Sequence, residues 1–301
     1  MTRQLVLIHG RAQERKDSVA LKAEWLDALA KGLEKNNLSL PIAEQDVRFP
    51  YYGDTLSDLV GGKPDEDAAE VVVRGEDTDD DEKRFIRAVL EEIRVRNGIT
   101  REQLAAAAGQ EAIDKGPANW EWFQAIIRAI DRNVPLGSGA GIALATVDVY
   151  QYLRNAAIRE KIESGIAQAI KPGIETVVVA HSLGSIVAYK LLRTEGHLRD
   201  WNVPLFVTVG SPLAVTEIRK SLKNFATTHC PDCVGRWHNA MDDRDVVALY
   251  PLTPQHFPLN PDEPSIENRT DIRNHTTNRH GIAGYLDDPG VAKLIHDALA
   301  G

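Results

Sequence analysis

Residues 177–184 read Val177-Val-Val-Ala-His-Ser-Leu-Gly184, and this stretch decides the fold. A short apolar run stops at a serine set among small residues, and an amphipathic run over 185–192 follows at once. The pattern predicts a buried strand, a sharp turn and a helix, with the Ser182 hydroxyl at the tip of the turn. Ala180 and Gly184, two before and two after the serine, are small enough for strand and helix backbones to approach closely.

The flanks extend the reading. Leu5-Val-Leu-Ile8 before His9-Gly10 predicts another buried strand. Leu21, Trp25, Leu29 and Leu33 recur every four residues and predict a helix over 18–35, capped by Asp17 or Ser18. A second strand is expected to end near Val47-Arg48-Phe49, which makes a strand–helix–strand unit and a parallel sheet. Further on, Leu205-Phe-Val-Thr-Val209 predicts a strand, a second strand surrounds Trp237, and 290–299 reads as a terminal helix. The middle is helical. Phe85, Val89 and Ile93 make one stripe, and Thr100-Arg-Glu-Gln103 fits a capping box. Trp120, Phe123, Ile127 and Ile130 make another stripe, with Trp122 and Ile126 beside it, a pattern that is more often core than ligand site. A single long helical pattern through Val147, Tyr150, Leu153 and Ile158 leads to the serine turn. The fold class is therefore α/β, a mostly parallel sheet flanked by helices, in one domain over 1–301.

Composition narrows the function classes. The 301 residues carry 35 Lys and Arg against 44 Asp and Glu, a net charge of −9. That balance argues against nucleic acid or an anionic membrane as the main partner. Between Asp65 and Glu82 stand ten carboxylates and one arginine, without EF-hand spacing, so a solvated loop is expected rather than a metal site. No basic stretch followed by an apolar one opens the chain, and no apolar run approaches the roughly 20 residues of a membrane span. A cytoplasmic protein is the expectation. Cys230 and Cys233 form a lone C-x-x-C with His229 and His238 nearby. Two reduced thiols in a loop are preferred over a zinc site, which needs four ligands. No metal and no cofactor are expected.

A serine hydroxyl is a weak nucleophile until a base takes its proton, and a carboxylate fixes the tautomer of a histidine base. With a strand–Ser–helix turn of the G-x-S-x-G kind, here with Ala180 at the first glycine, the partners follow in the order Ser, Asp or Glu, His. The acid is sought in Trp237-His-Asn-Ala-Met-Asp-Asp-Arg-Asp245, just after a strand, where loops collect catalytic groups. Asp245 is favoured and Asp242 is second, although aspartates at such a loop also cap turns. Of the later histidines, His280 is favoured and His275 is second; His256 sits among prolines and His296 falls in the terminal helix. Oxyanion donors are assigned to the backbone N–H groups of Leu183 and Arg11. His9 and His181 are read as supports.

Together Leu5-Val-Leu-Ile-His-Gly10, Val177-Val-Val-Ala-His-Ser-Leu-Gly184, Val207-Thr-Val-Gly-Ser-Pro-Leu213, the segment 237–248 and the segment 280–286 resemble the α/β-hydrolase family, in particular its bacterial lipase- and esterase-like members. The resemblance implies a Ser182–Asp245–His280 triad and hydrolysis of a carboxylic ester, thioester or amide through an acyl-enzyme. It implies a small-molecule or lipid acyl substrate, with no cofactor. Ala180 departs from the family's first elbow glycine. The long separation between Gly10 and Ser182 implies an inserted helical cap over about 54–140. Peripheral contact with lipid through the Trp120–Ile130 face, an amidase or peptidase reaction by the same triad, and a catalytically silent binding scaffold stay open at this point.

Overall fold

The computed structural model describes residues 3–10, 17–55, 79–109, 120–134, 139–261 and 264–301. Among them, six strands form one all-parallel sheet. They are β1 (Gln4–Ile8), β2 (Val47–Arg48), β3 (Glu175–His181), β4 (Asn202–Val209), β5 (Trp237–Ala240) and β6 (Glu267–Arg269), in the order β2-β1-β3-β4-β5-β6. The registers run Leu5 to Val47, Gln4 to Thr176, Val178 to Phe206 and Phe206 to Trp237. A parallel sheet needs helices on both faces, which is why its strands carry apolar residues at successive positions. Side-chain alternation then divides them. Leu5, Leu7, Val177, Val179, Leu205 and Val207 pack on one side; Val6, Ile8, Val178, Ala180 and Phe206 pack on the other.

The first side is covered by α1 (Ser18–Glu34), α9 (Ala283–Leu286) and α10 (Pro289–Ala300). Asp17 starts α1 by accepting the Val19 N–H at 2.7 Å, and Leu21, Trp25, Leu29 and Leu33 form its buried stripe. The second side carries α2 (Asp80–Arg96), α3 (Arg101–Ala108), α4 (Trp120–Asn133), α5 (Gly139–Arg154), α6 (Ala156–Ala169), α7 (Leu183–Glu195) and α8 (Thr216–Leu222). Both halves of the Thr100–Gln103 capping box form, at 2.8 and 3.3 Å. The helices within 54–140 join the same apolar core as the sheet face beneath them. No helix among the described residues is long and apolar enough to cross a membrane.

Two expectations are corrected. The single long helix ahead of the serine turn is two helices, because Asn155 stops one and caps the next, accepting the Ala157 N–H at 3.1 Å. The apolar stripe continues across this break, so spacing alone does not reveal it. The acidic stretch does not remain a loop to its end: Asp79 caps α2 and accepts the Glu82 N–H at 2.7 Å, and Asp80, Asp81 and Glu82 occupy its first turn. Carboxylates there meet the positive end of the helix dipole; residues 65–78 lie outside the described residues. On the Trp120–Ile130 face, Trp122, Phe123, Ile126, Ile127 and Ile130 are all buried in the core, as a stripe of this kind more often is. Finally, β6 adds an edge strand that the sequence reading did not anticipate.

Candidate active site

In the sheet order, β1 has β2 on one side and β3 on the other, so the chain switches direction between β1 and β3. A crevice opens at the carboxyl ends of strands at such a switch point. Gly10 and Ser182 lie at those two ends. A Cβ on Gly10 would stand 2.7 Å from Ser182 Cβ and 3.3 Å from its Oγ, so only glycine admits this approach. Likewise a Cβ on Gly184 would strike the Ile8 and His9 carbonyl oxygens. Ala180 needs no such room, and it is fully buried in the sheet.

Ser182 takes φ 53° and ψ −128°, a left-handed conformation that costs a residue with a side chain on the order of 1–3 kcal/mol. Hydrogen bonds hold it there. Its N–H donates to Val209 O at 3.2 Å, and Ser185 Oγ donates to its carbonyl at 2.6 Å. Ser211 Oγ lies 2.7 Å from Ser185 Oγ and accepts the Leu213 N–H at 3.3 Å, which anchors the turn to the end of β4.

Three of the expected site residues come together. His280 Nε2 is 2.9 Å from Ser182 Oγ, and His280 Nδ1 is 2.7 Å from Asp245 Oδ2. They come from three separate loops at one end of the sheet. Asp245 is buried, and its Oδ1 accepts the N–H groups of Val247 at 2.8 Å and Ala248 at 3.3 Å. Burial pushes its carboxyl up, but the His280 charge and the donors from His280, Tyr285 and Val247 outweigh that and hold it below the ordinary carboxylate value. A hydroxyl, an imidazole and an ionised carboxylate in line can pass a proton from the serine to the ring while the acid keeps Nδ1 protonated.

The remaining expected residues fall elsewhere. Asp242 accepts Arg244 Nε at 2.8 Å and the Asn274 N–H at 2.7 Å, so it joins the Asp245 loop to the His280 loop. Asn274 carries that link onward, donating from Nδ2 to Gly281 O at 2.8 Å. His275 faces Asp287 at 2.9 Å, His256 stacks on Tyr250 at 4.4 Å, and His296 sits beside Asp297 at 3.2 Å. Leu183 is the first residue of α7, where an N–H has no carbonyl partner inside the helix. Arg11 lies outside the described residues. Cys230 and Cys233 are free thiols pushed up by burial to about 11 and about 12. Among the described residues no group of three or more His, Cys, Asp or Glu is placed to hold a metal ion.

The two supporting histidines are neutral. His9 is driven down to about 4 by burial; its Nδ1–H donates to Gly10 O at 2.7 Å, and its Nε2 accepts the Tyr52 N–H at 3.1 Å. The Tyr52 hydroxyl donates to His9 O, so this pair shapes the chain leaving β1. His181 is driven down to about 3, by burial first and then by the His280 charge. Its Nε2–H donates to the His280 carbonyl at 2.8 Å, and the two rings lie 4.7 Å apart. His181 therefore steadies the main chain of the residue that faces Ser182.

A cleft with about 470 Å³ of empty space, part of it open solvent, leads from Ser182 and Leu183. Its walls include Ile93 of α2, Ile142 and Ala145 of α5, and Ile218 of α8. The hydroxyl of Thr146, also in the wall, is committed to Ile142 O at 2.8 Å. Glu92 fastens two walls together, accepting the N–H and hydroxyl of Thr216 at 3.0 Å each.

Reading residue types in order found Ser182, Asp245 and His280 but missed Tyr285, Asn274 and the Ser185–Ser211 pair. Only the fold reveals these partners; Tyr285 lies 40 positions from the carboxylate it touches. No protein-family model, curated protein or solved structure matches the chain.

Proposed function

We propose that the protein is a serine hydrolase of the α/β-hydrolase type that cleaves carboxylic esters through an acyl-enzyme. The observation that carries this reading is the continuous path from Ser182 Oγ through His280 to Asp245, at 2.9 and 2.7 Å, on a strained turn. Strand order, with its switch point beside Ser182, supports the same reading. Ser182 attacks the acyl carbonyl, and His280 accepts the hydroxyl proton and returns it to the leaving alcohol. Water then attacks the acyl-serine with His280 again as base, releasing the acid. Asp245 keeps the ring in the useful tautomer and balances its charge. The Leu183 N–H, at the positive end of α7, faces the developing oxyanion. Because the described cleft walls beside Ser182 are largely apolar, the acyl group is an aliphatic chain of a small-molecule or lipid ester.

The test is labelling with a fluorophosphonate and turnover of a p-nitrophenyl ester series. Wild type should label once, at Ser182, and Ser182→Ala should neither label nor turn over ester. Turnover by folded Ser182→Ala at the wild-type rate would refute the assignment.

A further inference from the structure

Asp245 Oδ2 carries two donors. His280 Nδ1–H reaches it at 2.7 Å, and the Tyr285 hydroxyl reaches it at 2.6 Å. Tyr285 has little freedom to do otherwise. Its ring is fully buried, and its oxygen already accepts the Asp242 N–H at 3.3 Å, which directs the hydroxyl proton to the carboxylate. At the end of β4, a Cβ on Gly210 would stand 3.0 Å from Tyr285 Cε2 and 3.2 Å from Asp245 Oδ2. Glycine there leaves the space in which ring and carboxylate meet. Burial, and then the Asp245 charge, push the phenol well above its ordinary value, so it stays a donor wherever Asp245 is ionised.

We propose that Tyr285 is a positioning residue of this site: by sharing Asp245 Oδ2 with His280, it orients the carboxylate and limits how strongly that oxygen pulls on the imidazole proton. The proposal rests on the serine-hydrolase reading. A donor on an acceptor oxygen lowers what that oxygen offers a second donor. With the hydroxyl gone, His280 has Oδ2 to itself, and the imidazolium is better stabilised. Titratable and charged groups facing Tyr285 are Asp245, Asp242 and Arg244, with the His181 ring 6.2 Å away; His280 faces Asp245, His181 and Ser182.

Tyr285→Phe keeps the ring and removes the hydroxyl; 3-fluorotyrosine at position 285 keeps the hydroxyl as a stronger donor. Two readouts are taken on the full chain. One is the low-field proton resonance of His280 Nδ1–H, assigned by its loss in His280→Gln. The other is the pH profile of kcat/KM for a p-nitrophenyl ester. Tyr285→Phe should move the resonance downfield and the acid limb to higher pH by about half a unit or more, with KM within about twofold. The fluorinated residue should move both the other way. A merely structural Tyr285 would lower kcat and melting temperature without moving either readout. Wild-type positions in both variants, or movement in the same direction, would overturn the proposal. Should no ester be hydrolysed, the functional reading fails while the resonance still decides the role of Tyr285. If Tyr285→Phe does not fold, the fluorinated protein carries the test alone.

Discussion

Asp245→Asn tests the chemistry with little change of shape. The wild-type carboxylate receives four donors: two backbone N–H groups on Oδ1, and His280 Nδ1–H and the Tyr285 hydroxyl on Oδ2. An asparagine has one acceptor oxygen, which stays with the two backbone donors. Its NH2 then faces His280 Nδ1, which must accept, so the ring flips to the Nε2–H tautomer. Nε2 now points a proton at Ser182 Oγ and cannot take one. The charge that stabilises the imidazolium is lost as well. At 2.7 Å, with an effective dielectric constant of about 20, a unit charge pair is worth roughly 6 kcal/mol, or about 10⁴-fold in rate. The expected result is therefore a kcat for p-nitrophenyl butyrate lowered by about 10³- to 10⁴-fold, the scale seen when a triad acid is neutralised. KM should change little, and circular dichroism should show a folded protein. A folded variant with a rate within tenfold of wild type would refute the role given to Asp245 and to the tautomer it enforces.

Gly10→Ala places a carbon 2.7 Å from Ser182 Cβ, so β1 and β3 must part by about 1 Å to reach ordinary contact. We expect a loss of about 1–3 kcal/mol by thermal unfolding and on the order of 100-fold in kcat; retention of full activity would mean the two strand ends are not held as described. Ala145→Phe fills the cleft, and excluding two or three methylenes should lower kcat/KM for an octanoyl ester by about 2 kcal/mol, roughly thirtyfold, relative to an acetyl ester. An equal fall for both esters would remove the cleft as the acyl site. His9 is held down to about 4, so the unfolded chain binds a proton that the folded one refuses. Its stabilising effect is complete above about pH 6.5 and fades as pH falls toward 4, by up to about 3 kcal/mol. Urea unfolding of wild type should weaken across that window, and His9→Gln should weaken less; equal slopes would contradict the burial argument.

The sheet was legible because parallel strands buried on both faces leave dense apolar runs. β1, β3 and β4 are such runs, whereas β6 is not: Glu267, Asn268 and Arg269 make a polar edge strand of three residues, and only its neighbour β5 selects it. Ser182, Asp245 and His280, which the fold brings together, were legible through residue type and chain order. The supporting groups were not, since a tyrosine or asparagine joins a site by tertiary contact. Asp242 illustrates the limit. It shares the acidic loop with Asp245 and stood second to it as a candidate, yet it is spent on Arg244 and Asn274. The Trp120–Ile130 stripe shows a related limit, because amphipathicity says that a face is covered without saying what covers it.

The pairing of β1 with β3 has a consequence for how the molecule comes into being. Gln4 meets Thr176 across 172 positions. Long-range parallel pairing is slow to form. His280 lies 98 positions beyond Ser182, so the serine can exist within a structured strand and helix before the histidine that faces it has arrived. The Ser182 turn can thus be in place before the two side chains that line up with its hydroxyl, Asp245 and His280, have been made. The topology itself thus places the assembly of this three-residue cluster late, after the sheet that carries its serine.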